Sequence, residues 1–249
     1  MLKSERHNYI MDKMLKEHKI NTIELAKELK LSEDTVRRDL NELNDKGLLM
    51  KVYGGAFPVK DRPVDIFDIV ILDEDKKKEI GRKALSLLKD GQVIIISGGT
   101  TNLVFSKLIP SDFKATIYTY SLPIAMQLSQ HSNVELIFIG GKLQKNAMVT
   151  IGLDVVQALS KIKADICFMG ASSINVNLGL TEMGYEVSIA KKAMLQASDK
   201  LVSMVTSEKL NTKMPYGVCE LKQLHTIITD LNPNNALLEE YVKAGVYVL

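Results

Sequence analysis

The chain has 249 residues, enough for one large domain or two ordinary ones, each able to bury a core. Hydrophobic residues make up 46% and charged residues 25%, which excludes a disordered, collagen-like or polyelectrolyte chain. Net charge is +2, and residues 1–60 hold 12 Lys+Arg against 10 Asp+Glu, so charge alone does not point to nucleic acid and any such reading rests on pattern.

The opening residues, MLKSERHNYIMDKML, carry charges where an export signal has its apolar stretch, and no apolar run approaches the roughly 18 residues of a membrane helix. A cytoplasmic protein with no membrane partner is expected. From Ser4 to Lys46 the apolar residues recur at helical spacing: Ile10, Met14 and Leu15, then Ile23, Leu25, Ala26 and Leu29, then Val36, Leu40 and Leu43. Three short helices follow, with Ser4 as a cap for the first, Asn21 and Glu24 as a capping box for the second, and Ser32 ahead of Glu33 and Asp34 for the third. The third ends at Gly47. Residues Leu48 to Tyr53 are strand-like, and Gly54-Gly55 supplies a turn.

With Val36, Leu40 and Leu43 turned inward, Thr35, Arg37, Arg38 and Asn41 fall on the outer side of the third helix, where Arg pairs with guanine or phosphate and Asn with adenine. Lys51 and Tyr53 on the hairpin are placed as a wing would be, within reach of phosphates or a minor groove. A DNA-reading helix-turn-helix and a plain three-helix packing module with a solvated Arg pair both satisfy this spacing.

Pro58 to Pro63 holds two prolines and three charges and reads as a linker. The expected division is a winged unit over 1–57, a linker over 58–72 and a second domain over 73–249. In that domain a helix over about Glu74–Leu88 leads to strand Val93–Ile96, a Gly/Thr loop and a helix over Asn102–Leu108. Strands are expected at Thr116–Tyr120, Val134–Ile139, Ile166–Met169, Leu201–Val205, Thr226–Thr229 and Val246–Leu249. Helices are expected near Leu122–Ser129, Leu153–Ser160, Glu186–Ala197 and Asn234–Ala244. Such alternation predicts an α/β domain with a largely parallel sheet. Cys167 lies in one of these apolar runs, and with Cys219 makes neither a disulfide framework nor a metal cluster.

Ser97-Gly98-Gly99-Thr100-Thr101 follows a strand and opens a helix, a place where backbone amides and hydroxyls hold phosphate, although Gly-Gly there also serves as a mere tight connection.

The stretch ELAKELKLSEDTVRRDLNELNDKGLLMKVYGGA, containing Thr35-Val36-Arg37-Arg38-Asp39-Leu40, Gly47 and Gly54-Gly55-Ala56, resembles the N-terminal winged helix-turn-helix of the DeoR family of bacterial transcriptional regulators. The resemblance is dense from roughly Arg6 to Ala56. It implies operator DNA as a partner, contacted by Ser32, Thr35, Arg37 and Arg38. Lys51 and Tyr53 stand where family members usually have Arg and His. For Asp39, whose charge would repel phosphate, an ion pair with an arginine and a solvated carboxylate are the two readings.

The resemblance also implies a C-terminal domain with the fold of sugar-phosphate isomerases that binds a phosphorylated sugar or related metabolite. The family's Asp-x-Gly-Thr-Thr loop appears as Ser97 to Thr101, with Ser for Asp, and its Thr-Asn-Ser as Thr119-Tyr120-Ser121. Both exchanges imply altered sugar-facing chemistry. Gly140-Gly141-Lys142 matches the family's Gly-Gly, with Lys142 either near an anion or simply on the surface. Lys209 matches a family Lys and implies a phosphate partner. Lys77 matches another, though Lys76-Lys77-Lys78 also reads as a solvated cluster. Glu186 matches a family Glu and also suits a helix start.

Enzymes of the related fold need a base beside a carbonyl, and at the loop position this chain has Ser97, so no catalytic residue is expected. His7, His18, His131 and His225 lack zinc-ligand spacing, so neither metal nor cofactor is expected. The sequence thus predicts a DNA-binding regulator, a repressor of carbohydrate-metabolism genes, working as a homodimer or tetramer. The alternatives are an isomerase-like enzyme and an oligomerisation scaffold that senses nothing.

Overall fold

The computed structural model describes residues 2–17, 20–52, 54–57, 71 and 73–249. The chain divides into two compact units, Met1–Asp65 and Ile66–Leu249. The segment expected as a linker, 58–72, lies outside the described residues apart from Ile71.

In the first unit, α1 (Lys3–Glu17), α2 (Thr22–Leu29) and α3 (Glu33–Asp45) pack with β1 (Ile20–Asn21), β2 (Met50–Val52) and β3 (Gly55–Phe57). The amphipathic spacing of the helices closes one core of Ile10, Met14, Leu25, Val36, Leu40, Leu43 and Leu49. Asn21 caps α2 through Ile23 and Glu24 N–H groups, and Ser32 caps α3 through the Thr35 N–H at 3.3 Å. Ser4 does not cap α1. It lies inside the helix, and the Leu2 N–H donates instead to Glu5 Oε2 at 2.8 Å.

The hairpin gains a strand that periodicity could not reveal, because β1 is only two residues long. The sheet order is β1-β3-β2, with Ile20 opposite Ala56 and Asn21 opposite Gly55. A Cβ at Gly55 would sit 1.9 Å from the Ile20 carbonyl oxygen, so the close approach of β1 to β3 requires glycine there.

The second unit is built on a seven-stranded, wholly parallel sheet. Its strands are β4 (Val93–Ile96), β5 (Ala115–Thr119), β6 (Val134–Phe138), β9 (Ala164–Gly170), β12 (Ser198–Met204), β14 (Thr226–Ile228) and β15 (Tyr247–Val248). Their order is β15-β14-β12-β9-β4-β5-β6. One face packs α4 (Glu74–Leu85), α5 (Thr100–Leu108) and α6 (Leu122–Leu128) on Ile94, Ile96, Ile117 and Phe168. The other packs α7 (Leu153–Leu159), α8 (Tyr185–Gln196) and α9 (Glu239–Lys243) on Ile95, Cys167, Met169 and Leu201. The helix expected over Asn234–Ala244 is shorter: a 3-10 turn at Ala236–Leu238, capped by Asn235, precedes α9.

Five strands were not foreseen, and all are antiparallel additions. β7 (Lys142–Gln144) pairs with β8 (Val149–Ile151), while β10 (Ser173–Asn175), β11 (Gly179–Glu182) and β13 (Tyr216–Cys219) form a separate sheet. These short antiparallel segments lack the continuous apolar run and the place in a strand-helix alternation by which the equally short β4 and β14 were read.

The strand order reverses between β4 and β9. From β4 the chain proceeds outward through β5 and β6, then returns to lay β9 on the other side of β4. The helices that follow β4 and β9 pack on opposite faces of the sheet, and open α/β sheets bind ligands in the crevice outside the C-terminal strand ends at such a switch point.

Candidate functional site

In the first unit, α3 presents an exposed stripe. Ser32, Arg37, Arg38 and Asn41 are exposed and Thr35 is half-buried, opposite the buried Val36, Leu40 and Leu43. The stripe is partly pre-ordered. The Ser32 and Thr35 hydroxyls are 2.9 Å apart, and Arg37 pairs with Glu33 at 2.9 Å and with Asp34 at 3.6 Å. Lys51 on β2 donates to Asn41 Oδ1 at 2.5 Å, and its N–H donates to Asn44 Oδ1 at 2.9 Å, which fastens the hairpin to the helix. Arg38 has no ion-pair partner among the described residues. Tyr53 lies outside the described residues.

Asp39 is turned away from the stripe and is 2% exposed. Arg6 grips it with two hydrogen bonds of 2.6 and 2.8 Å, and His7 Nε2 adds a third contact at 3.2 Å. Burial pushes the carboxyl up, and the Arg6 and His7 bonds and charges more than offset this, leaving it below the usual aspartate value. With Lys3 on Glu42 at 2.7 Å, these contacts hold α3 in one rotation against α1.

In the second unit, the loop Ser97–Gly99 leaves β4 at the crevice. Gly99 has φ +116, and α5 starts without a side-chain cap, so amides of its first turn stay open. Thr101 is buried and Thr100 half-buried, and neither hydroxyl makes a hydrogen bond among the described residues. Gly98 packs on Val149 and Ser121, which places Ser121 beside the loop.

Two expected ligand-facing residues turn out to be scaffold. Ser97 is fully buried: its hydroxyl accepts from the Gly170 N–H and from Asn102 Nδ2, each at 3.0 Å, and donates to the Gly98 carbonyl at 3.3 Å. Its bonds are therefore spent joining the loops after β4 and β9. Tyr120 is 1% exposed within the core, its hydroxyl beside the Gly98 backbone. Burial and the Glu182 charge push that phenol well up. At 1% exposure the ring offers no open face. Lys142, following Gly141 with φ +149, is 74% exposed and has Glu186 at 3.9 Å, which makes it a surface lysine.

Lysines instead converge from α4, α8 and the 3-10 turn Ser207–Lys209. Lys209 donates to the Ala171 carbonyl at 2.9 Å, and Lys191 to the preceding Gly170 carbonyl at 2.7 Å. Lys77 is 8% exposed. Its neighbour Lys76 pairs with Glu208, which ties α4 to the turn that carries Lys209. Burial, reinforced by the charges of Lys77 and Lys191, lowers Lys209 from the ordinary lysine value to about 8. Burial lowers Lys77 as well. Glu182, at the end of β11, is paired with Lys191, accepts from the Ser172 hydroxyl and takes the Met183 N–H at 3.0 Å. Burial raises its carboxyl, and Lys191 more than compensates, so it stays below the usual glutamate value. Among the described residues no cluster of His, Cys, Asp and Glu could hold a metal.

Comparison with known proteins settles the family. The DeoR-like helix-turn-helix domain matches residues 6–61, and the DeoR C-terminal sensor domain matches residues 72–231. The chain belongs to the DeoR family. It is a transcriptional regulator with an N-terminal helix-turn-helix and a C-terminal sensor domain. Similar proteins include the transcriptional regulator GolR of Listeria innocua, 28% identical over 100% of this chain and 98% of that protein. The repressor GlcR of Bacillus subtilis is 29% identical over 100% and 96%. The glycerol-3-phosphate regulon repressor of Escherichia coli is 25% identical over 96% and 95%. Among solved structures, ribose 5-phosphate isomerase A of Methanocaldococcus jannaschii aligns over 55% of each chain, with a TM-score of 0.41 and 22% identity.

In this DeoR-family chain the sequence reading missed Lys191, Glu182, Asn102 and the Arg6–His7 pair. Lys191 and Glu182 are nine residues apart across a strand-to-helix turn, and only the fold brings them together. Among the described residues no helix is long and apolar enough to cross a membrane.

Proposed function

We propose that this chain is a repressor whose winged unit reads operator DNA through Ser32, Thr35, Arg37, Arg38 and Asn41, with Lys51 on the wing and Tyr53 as further contacts, and whose second unit senses a phosphorylated sugar. The observation that carries the sensing half is the convergence of Lys209 and Lys191 on the consecutive carbonyls of Gly170 and Ala171, at the crevice beside the open start of α5. Gly98, Gly99, Thr100 and Thr101 form the loop and the start of α5, Ser121 lies beside them, Lys77 is buried on α4, and Ser97 and Tyr120 hold the loop in shape. The half-buried Lys209 ammonium and the free first-turn amides are complementary to a phosphoryl group, whereas Lys191 is already paired with Glu182. The chain acts by binding and not by catalysis. Glu182, the carboxylate of the crevice, is ion-paired and hydrogen-bonded and so is poorly placed to take a proton from carbon.

Repression also needs repeated half-sites, since a single winged unit buries little DNA surface, so we infer a symmetric homo-oligomer, a dimer or tetramer, working in the cytoplasm. Thermal unfolding of the purified chain against a panel of sugar phosphates tests the sensing half. A true effector at about 100 times its dissociation constant adds roughly 2.7 kcal/mol, while the free sugar adds nothing. A folded protein that no phosphorylated compound stabilises would refute it.

A further inference from the structure

Two ammoniums reach consecutive carbonyls after β9, yet they differ in one respect. Lys191 donates to Gly170 O at 2.7 Å and Lys209 to Ala171 O at 2.9 Å, so adjacent carbonyls at the end of β9 fix both. Lys191 is ion-paired with Glu182, their side chains 6% and 8% exposed. Lys209 has no carboxylate within ion-pair distance among the described residues. Glu182 itself cannot swing away freely, because one oxygen takes the Ser172 hydroxyl and the Met183 N–H while the other faces Lys191.

We propose that Glu182 is the specificity-determining residue of the anion site: by neutralising Lys191 it limits the site to ligands with one phosphoryl group and no second anionic group. The inference rests on the effector reading above. A phosphoryl group carries between one and two negative charges near neutral pH, which Lys209 and the α5 amides receive. A second phosphoryl or carboxylate group on the same ligand would meet a cation already paired and, next to it, a buried carboxylate of its own sign. Like charges at close range in a poorly hydrated crevice are strongly disfavoured, and discrimination of this kind comes from repulsion as much as attraction. The ligand class is therefore a sugar monophosphate whose remaining groups are hydroxyls or a carbonyl. Sugar bisphosphates and phosphorylated sugar acids are excluded.

Calorimetric titration of the full chain decides the matter with four probes: inorganic phosphate, fructose 6-phosphate, fructose 1,6-bisphosphate and ribose 5-phosphate. For the wild-type chain a monophosphate is expected to bind at least tenfold more tightly than the bisphosphate. Glu182→Gln frees Lys191 and is expected to erase or reverse that preference by raising bisphosphate affinity at least tenfold. If the wild-type chain takes the bisphosphate as well as the monophosphates, the proposal is wrong whatever the variant does. It is equally wrong if the folded variant keeps the wild-type preference. Should the wild-type chain bind none of the four while remaining folded, the effector reading itself falls, an outcome distinct from monophosphate binding that ignores Glu182.

Discussion

At the scale of single residues, the winged unit separates arginines by their partners. Arg37 is held by Glu33 and Asp34, whereas Arg38 is exposed on the same stripe without an ion pair among the described residues. A free guanidinium has nothing to give up on meeting DNA, while Arg37 must trade carboxylates for phosphates. Arg38→Ala is expected to weaken specific binding by about 1–3 kcal/mol if it reads a base, measured by fluorescence anisotropy against non-specific DNA. Equal losses on both DNAs would instead make Arg38 a phosphate contact. Asp39 works by a different route. Removing it leaves the mostly buried Arg6 guanidinium without its partner, so Asp39→Ala is expected to destabilise the first unit by about 3 kcal/mol, read from its thermal unfolding.

Lys209 gives a pH signature of its own. Its folded value of about 8 lies below that of an unfolded lysine, so in the free chain its charge is disfavoured and stability from this group rises as pH climbs from about 8 to 10. A bound phosphoryl group favours the charged form, so effector affinity is expected to fall as pH rises above about 8. Titrations from pH 6.5 to 9.5 would show this, and Lys209→Met should bind weakly with little such slope. A wild-type affinity that is flat across this range would remove Lys209 from the site.

At the scale of elements, what the sequence revealed depended on length. The helices α1 to α3 repeat their period often enough to be read, β4 and β9 stand out as apolar runs, and the caps Asn21 and Ser32 carry a local physical signature. β1, with two residues, and β7, β8 and β10, with three each, repeat too little. The loop proposed to hold the anion was legible as Gly-Gly-Thr-Thr after a strand. The fate of Ser97 was not, because its hydrogen-bond partner Gly170 is 73 residues away. Tyr120 looked like a changed ligand group in the sequence, and burial made it a support. Gly55 illustrates how an element depends on one missing side chain: Gly55→Ala would drive a methyl into the Ile20 carbonyl. Such overpacking is expected to cost about 1–3 kcal/mol and to displace β1 from the wing. Unfolding of the variant at the wild-type temperature would contradict that close approach.

At the scale of the whole molecule, the proposed regulation is a matter of linkage between two binding functions. If an effector binds better to the arrangement of subunits that fits DNA poorly, DNA must weaken the effector by the same factor. A shift of about 1–3 kcal/mol in operator affinity is the usual size of such coupling. No path of contacts between the units is needed for this statement, only two global states that both ligands bias. Thr100→Val, at the open start of α5, is expected to abolish the response to effector while leaving operator affinity unchanged. Loss of DNA binding in that variant would mean that the loop supports the fold and not the ligand.

The most direct test of regulation is to measure the affinity of the full chain for DNA selected from a random pool, with and without the sugar monophosphate that stabilises it, at one fixed salt concentration. The account predicts weaker DNA binding with the ligand, matched by an equal loss of ligand affinity when DNA is present. A ligand that binds the chain while leaving DNA affinity unaltered would contradict it.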